Sequence, residues 1–255
     1  MTDPHVVWLQ YRPVPPEHVS YENPPPVELE TAAFFMRLSE GVAQFDMQKH
    51  YATEDEAREA VKGFLRSWEI DSALRFGGAG MQFSFERSHV IDRNPPPPGT
   101  ALVVTATGRL TMKSSVAATV HVTRRAYPAP PTDFRASPDV ETLWQRYQFH
   151  RQGREPLPSM AYFCLTQLEV NAGGRRGAAS RYALSREVLA KLGELTSKYG
   201  DAKTARKAKA MGRPHTPAEV TWLDSAIKRI IQRVGEVDAG ATNLQEITLK
   251  DLPPV

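Results

Sequence analysis

Cysteine is almost missing from this chain: Cys164 is the single one in 255 residues. One thiol excludes an internal disulfide and any multi-cysteine zinc centre. Long apolar runs are missing too. None approaches the length of about 20 residues that a membrane-spanning helix needs. The opening MTDPHVVWLQYRPVPPEH lacks the basic start, apolar run and small-residue cleavage site of a signal peptide. The expectation is a cytoplasmic protein with no membrane partner. No Gly-x-Ser-x-Gly elbow occurs, and neither glycine-rich stretch, Gly77 to Gly80 or Asn171 to Gly177, ends in Gly-Lys-Ser/Thr. The seven histidines are scattered without metal-ligand spacing. No metal and no cofactor is therefore expected.

What is present suits a folded chain. Hydrophobic residues make up 41% and charged ones 24%, an ordinary globular balance, and the length suits one large domain or two small ones. Charge is unevenly divided. Residues 1–136 carry 14 basic against 16 acidic residues, net −2; residues 137–240 carry 17 against 11, net +6; residues 241–255 carry 1 against 2, net −1. The second part is the one that would attract an anionic partner.

The first part alternates strand-like runs with proline. VVWLQY (Val6 to Tyr11) is a strand candidate, followed by a loop through Pro13, Pro15, Pro16 and the Pro24–Pro26 run. Ala32 to Leu38 and Val42 to Met47 flank Ser39-Glu40-Gly41, a three-residue hairpin connection. Thr53-Glu54-Asp55-Glu56 is a capping box, and Ala57, Ala60, Val61, Phe64, Leu65 and Trp68 follow at helical spacing up to Gly77-Gly78. Strand composition returns in Met81 to Arg87, Leu102 to Thr107 and Val116 to Thr123. These elements predict an α+β domain over 1–130, an antiparallel sheet with one packed helix.

The proline-rich stretch from Tyr127 to Pro138 marks the boundary. Beyond it the pattern is helical over 137–240, with 241–255 a tail outside the bundle to which Ile247 and Leu249 dock back. Ser137-Pro138 gives an N-cap and a first-turn proline; Ser185 caps another helix; Thr216-Pro217-Ala218-Glu219 is the clearest helix start in the chain. Between them a short helix is expected over Ala178 to Tyr182. Met160, Phe163, Cys164, Leu165 and Leu168 form the most apolar helix, which its neighbours must cover, with Cys164 a buried, inert thiol. Asn171 to Gly174 supplies its left-handed ending.

Two sets of residues carry candidate chemistry. Arg146 and His150 lie one turn apart with Tyr147 and Arg151 beside them, a pair able to bind a phosphate and move a proton. The helical part thereby resembles a HEPN-type bundle, a class in which some members cleave RNA without metal. The class motif places four to six residues between arginine and histidine; here there are three. Arg175, Arg176, Lys203, Arg206, Lys207, Lys209 and Arg213 form the second set, a candidate nucleic-acid contact without interleaved aromatics.

RQGREPLPSMAYFCLTQLE, REVLAKLGELTSKYGD with the following RKAK, and KRIIQRVGE resemble the J-type accessory proteins of bacterial methylamine-utilization clusters. That resemblance covers roughly the second half and, more weakly, the first, and implies a non-enzymatic accessory role. The bundle would bind a protein partner or a second copy of itself, with Trp222 and Arg229 contributing to an exposed surface, or else Trp222 packs on the N-terminal domain. The alternative expectation is a HEPN-type RNA-binding protein or metal-independent ribonuclease.

Overall fold

The computed structural model describes residues 3–76, 80–94, 121–197 and 213–255. It is an α+β protein that divides into two compact units, residues 1–131 and 132–255. Among the described residues no helix is long and apolar enough to cross a membrane.

The first unit holds β1 (Pro4–Val14), β2 (Val19–Tyr21), β3 (Val27–Glu30), β4 (Phe34–Ser39), β5 (Val42–Met47), α1 (Glu54–Phe76), β6 (Gln82–Asp92) and β7 (Val122–Arg124). Five strands form one antiparallel sheet in the order β3-β4-β5-β1-β6. Several features depart from the sequence reading. β1 continues through Pro13 because β6 still pairs with it as far as Val14, while β5 stops at Tyr11 and demands no N–H beyond that point. The Val-Glu-Leu-Glu of β3, just after the proline run, is a short strand that the prolines conceal. The antiparallel expectation also fails for β2 and β7, which pair in parallel; the hundred-odd residues between them easily meet the crossover that parallel pairing demands.

The β4–β5 connection is tighter than expected. Ser39 pairs with Val42, which leaves only Glu40 (φ 51°) and Gly41 (φ 75°) in the turn. Two positive φ values in succession are the signature of a type I′ hairpin turn, whose twist matches the flanking strands. Alternation then sets the core. Leu9, Met36, Leu38, Ala43 and Phe45 are fully buried on the sheet face that meets Val61, Leu65 and Trp68 of α1. Phe34 packs edge-on against Phe45 at 5.1 Å and Phe64 at 5.4 Å. The expected capping box opens α1, with Glu56 N–H donating to Thr53 Oγ1 and the Glu56 carboxylate accepting from Thr53 N–H. The expected strand at Leu102 to Thr107 lies outside the described residues, as does most of Val116 to Thr123.

The second unit contains α2 (Pro138–Arg151), α3 (Leu157–Asn171), α4 (Arg175–Arg181), α5 (Arg186–Ser197) and α6 (Pro217–Asp238), with a 3-10 turn at Leu249–Asp251. As expected, α3 is the covered rod: it touches α2, α4, α5 and α6, and Met160, Cys164, Leu165 and Leu168 are all buried. Ser137 caps α2, Ser185 caps α5, and the full Thr216/Glu219 capping box starts α6. α3 ends on Gly173 (φ 71°) and Gly174 (φ 113°), while Asn171 stays helical and donates to Asp139 Oδ2 at 2.8 Å. α4 begins three residues before the expected Ala178.

The tail does not lie outside this unit. Ile247 is buried and bridges to Leu184 in parallel, exchanging backbone bonds with Ala183 and Ser185 at 2.8 and 2.9 Å. Leu249, expected to dock with it, is instead exposed. Arg233 of α6 fixes the junction. Only 3% exposed, its guanidinium donates to the carbonyls of Tyr182 (3.0 Å), Ala183 (3.2 Å) and Gln245 (2.8 Å) and to Glu236 Oε2 (2.8 Å). Of the two positions open to Trp222, the exposed one is not taken: it is 1% exposed. Its position on the same helical stripe as Leu223, Ala226 and Ile230 explains why.

Candidate functional site

Arg146 and His150 stand one turn apart on α2, as their spacing requires, and both turn toward Glu155 in the α2–α3 connection. The Arg146 guanidinium lies 2.9 Å from Glu155 Oε1 and covers the Phe163 ring at 4.4 Å. His150 Nδ1 is 3.1 Å from the Glu155 carbonyl oxygen. A carbonyl only accepts, so Nδ1 carries a proton in this contact, and the tautomer that leaves the lone pair on Nε2 is the one it fits. The pair therefore ties one residue of the turn by its side chain and by its backbone. Gly153 (φ 70°) and the Arg154 N–H bond to the Phe149 carbonyl at 2.9 Å complete the reversal. Arg146 Nε and Glu155 Oε2 are buried without a hydrogen-bond partner. The ion pair thus uses one leg of the two that an arginine fork can offer a carboxylate.

Tyr147 faces α6. Its hydroxyl donates to Asp224 Oδ1 at 2.8 Å, and Lys228 Nζ reaches Asp224 Oδ2 at 2.6 Å. Burial pushes the Tyr147 hydroxyl above the usual phenol range, and the Asp224 carboxylate pushes it further, so it serves as a neutral donor. Nothing in the sequence singles out Glu155, and Asp224 is only half signalled. Asp224 and Lys228 share an i, i+4 spacing on α6, which marks a pair but not its tyrosine partner. Cys164 is fully buried beside the Met160 thioether, Sγ to Sδ 3.7 Å. Burial, with Glu155 adding to it, pushes its thiol up to about 12. As expected, this is a core thiol, and its sulfur carries no thiolate at neutral pH.

The second set is only partly in view. Lys203, Arg206, Lys207 and Lys209 lie outside the described residues. Arg213 grips Glu219 with both guanidinium arms, at 2.7 and 2.6 Å. Those hydrogen bonds, with the Thr216 amide and against the cost of burial, hold the Glu219 carboxyl down at about 2. Arg175 donates to Glu169 Oε1 at 2.6 Å and lies over Gly193, where a Cβ would meet its guanidinium at 3.0 Å. Arg176 is exposed on α4. Arg175 also edges a groove of about 330 Å³ between α3 and α5, with Tyr162, Thr166, Glu169, Glu194 and Ser197 around it. No group of three metal-capable side chains occurs among the described residues.

Comparison with known protein families, curated proteins and solved structures finds no match. What the site can do follows from its geometry.

Proposed function

We propose that this chain is a non-enzymatic, cytoplasmic accessory protein whose HEPN-like helical unit binds a protein partner or a second copy of itself, as its likeness to methylamine-utilization J-type proteins implies. One observation carries the reading: among the described residues of the helical unit, several cations act as internal ties. Arg146 and His150 both hold Glu155, Arg213 holds Glu219 and Arg233 holds three carbonyls. An arginine neutralised by a carboxylate at 2.9 Å has little field left for a phosphate. The α3–α5 groove, walled by tyrosine, threonine, glutamate and arginine side chains, suits a peptide or helix edge.

The alternative, a HEPN-type RNA-binding protein or ribonuclease, is favoured by the lone pair left on His150 Nε2 beside Arg146 and Arg151. The two readings part on binding and cleavage of single-stranded RNA across a salt series. Phosphate contacts give affinity that falls steeply as salt rises. The accessory reading expects weak, salt-insensitive binding and no cleavage difference between the native chain and His150→Ala. Steep salt dependence, with cleavage abolished by His150→Ala, overturns it.

A further inference from the structure

The start of β1 is held differently from the rest of the strand. β5 reaches β1 only from Trp8 to Tyr11, so among the described strands Pro4, His5 and Val6 pair with β6 alone, opposite Asp92, Ile91 and Val90. A register shift between Val6 and Trp8 separates this end from the regular ladder. Three further bonds close it. The Asp3 amide donates to Asp92 Oδ1 at 2.8 Å, the Arg93 amide to the Asp3 carbonyl at 2.9 Å, and the Val6 amide to the Tyr51 carbonyl at 3.0 Å.

His5 sits at the centre of this closure, 8% exposed, with its ring stacked on His50 at 5.3 Å and 14° between planes. His5 Nδ1 is buried and has no hydrogen-bond partner. A lone pair on a neutral ring tolerates such a place at modest cost. An imidazolium N–H there would be a charged donor facing no acceptor. The surrounding charges lean the same way. Burial is the largest influence holding His5 below the ordinary imidazole range, followed by Arg93 beyond the end of β6 and His50 from the loop before α1. Asp3 opposes them, but its carboxylate is also turned to His50, 3.6 Å from Nε2. Asp92 already accepts from the amides of Asp3 and Asn94.

We propose that His5 and His50 form a proton-sensitive latch at the start of β1. With both rings neutral, the stack holds residues 3–6 between the loop at 48–53 and the end of β6. A proton on each ring sets two stacked cations beside Arg93 in a site with one shared carboxylate, and the strand end lifts away. His5 binds its proton less readily in the fold than in the open chain, so the sign is fixed. The latch is fully closed above the free imidazole value of about 6.5 and opens as pH falls through the lower folded value. Opening uncovers Val6, which is fully buried when closed, and unpairs the backbone of Val90 to Asp92. An apolar residue beside an unpaired strand edge is a surface that other strands bind.

The test uses the full chain between pH 7.5 and pH 5, a range in which Glu219 stays ionised. Imidazole resonances followed by NMR give the His5 midpoint, and hydrogen exchange reports the Val6 and Arg93 amides. The expected result is a His5 midpoint below that of a free imidazole. Exchange of both amides, corrected for intrinsic rates, should rise roughly threefold or more toward pH 5, while β4–β5 amides stay unchanged. His5→Phe keeps a stacking ring without a titrating nitrogen and should abolish the rise; His50→Gln should move the His5 midpoint upward. A His5 midpoint at or above the free value, or exchange at Val6 and Arg93 that does not change with pH in the native chain, overturns the proposal. The native-chain measurements decide the matter even where His5→Phe does not fold.

Discussion

Arg233 shows how much one side chain can hold. A guanidinium taken almost wholly out of water costs free energy that only full hydrogen bonding recovers, and here four acceptors meet it. Replacing it with alanine takes a donor from three carbonyls and a carboxylate, of which the Ala183 carbonyl keeps the Ile247 amide. Arg233→Ala should lower unfolding stability by about 3–5 kcal/mol, the usual cost of breaking a buried ionic cluster from one side, as read by urea denaturation. Arg233→Lys should recover little, because an ammonium cannot fork between separate carbonyls. The carboxyl of Glu219 carries a pH dependence of its own. Held at about 2, it stabilises the fold in full above its ordinary value of 4.5, and that contribution is lost as pH falls from there toward 2. Glu219→Gln should therefore flatten the acid limb of the stability curve, with about 1–3 kcal/mol lost at neutral pH. Cys164 gives a third readout. With its thiol at about 12 and no exposure, it should react with a thiol reagent only at the rate of unfolding, and fully in denaturant.

At the scale of the elements, the hairpin β4–β5 offers the cleanest test. Glu40 occupies a left-handed position that asparagine or glycine fills at lower cost. Glu40→Asn should raise stability by about 0.5 kcal/mol, and Gly41→Ala should lower it by about 1 kcal/mol, both read from the melting midpoint. Space is not the issue at Gly41, since nothing lies within 4 Å of where an alanine Cβ would stand; the strain is in the backbone alone. Helix ends are legible in the sequence because their signals are local: Ser137, Ser185 and the Thr216–Glu219 box each bond a neighbour three residues away. The strand ends are not. β1 runs through Pro13 because one distant partner continues past it and the other stops short, and β3 exists because β4 is there to pair with it. Pairing across sequence distance leaves no mark in a local pattern, and the prolines around both strands argue against them.

For the molecule as a whole, the rule that apolar residues go inside reaches a long way. The apolar face of α3 predicts a covered rod, and four helices cover it. Trp222 obeys the rule too, though its sequence surroundings left a surface position open: an amphipathic tryptophan suits both a surface and a core, and only the partners around it decide. The candidate site is half legible. Spacing brings Arg146 and His150 to one face, but their common target, Glu155, lies in a turn whose path no periodicity describes. The second unit has its own buried core, so residues 132–255 expressed alone should give a helical circular-dichroism spectrum and a cooperative melt. A non-cooperative melt would show that it depends on the rest of the chain.

The docking of Ile247 against Leu184 bears on how the gene can be trimmed. A truncation after Gly240, where the last long helix has ended, looks harmless on a helix map. It would leave Leu184 uncovered and the amide of Ser185 and carbonyl of Ala183 without their counterparts, and take one acceptor from Arg233. Such a product should be prone to precipitation. Pro254 and Val255, by contrast, face water, and a fusion appended there leaves the seam intact.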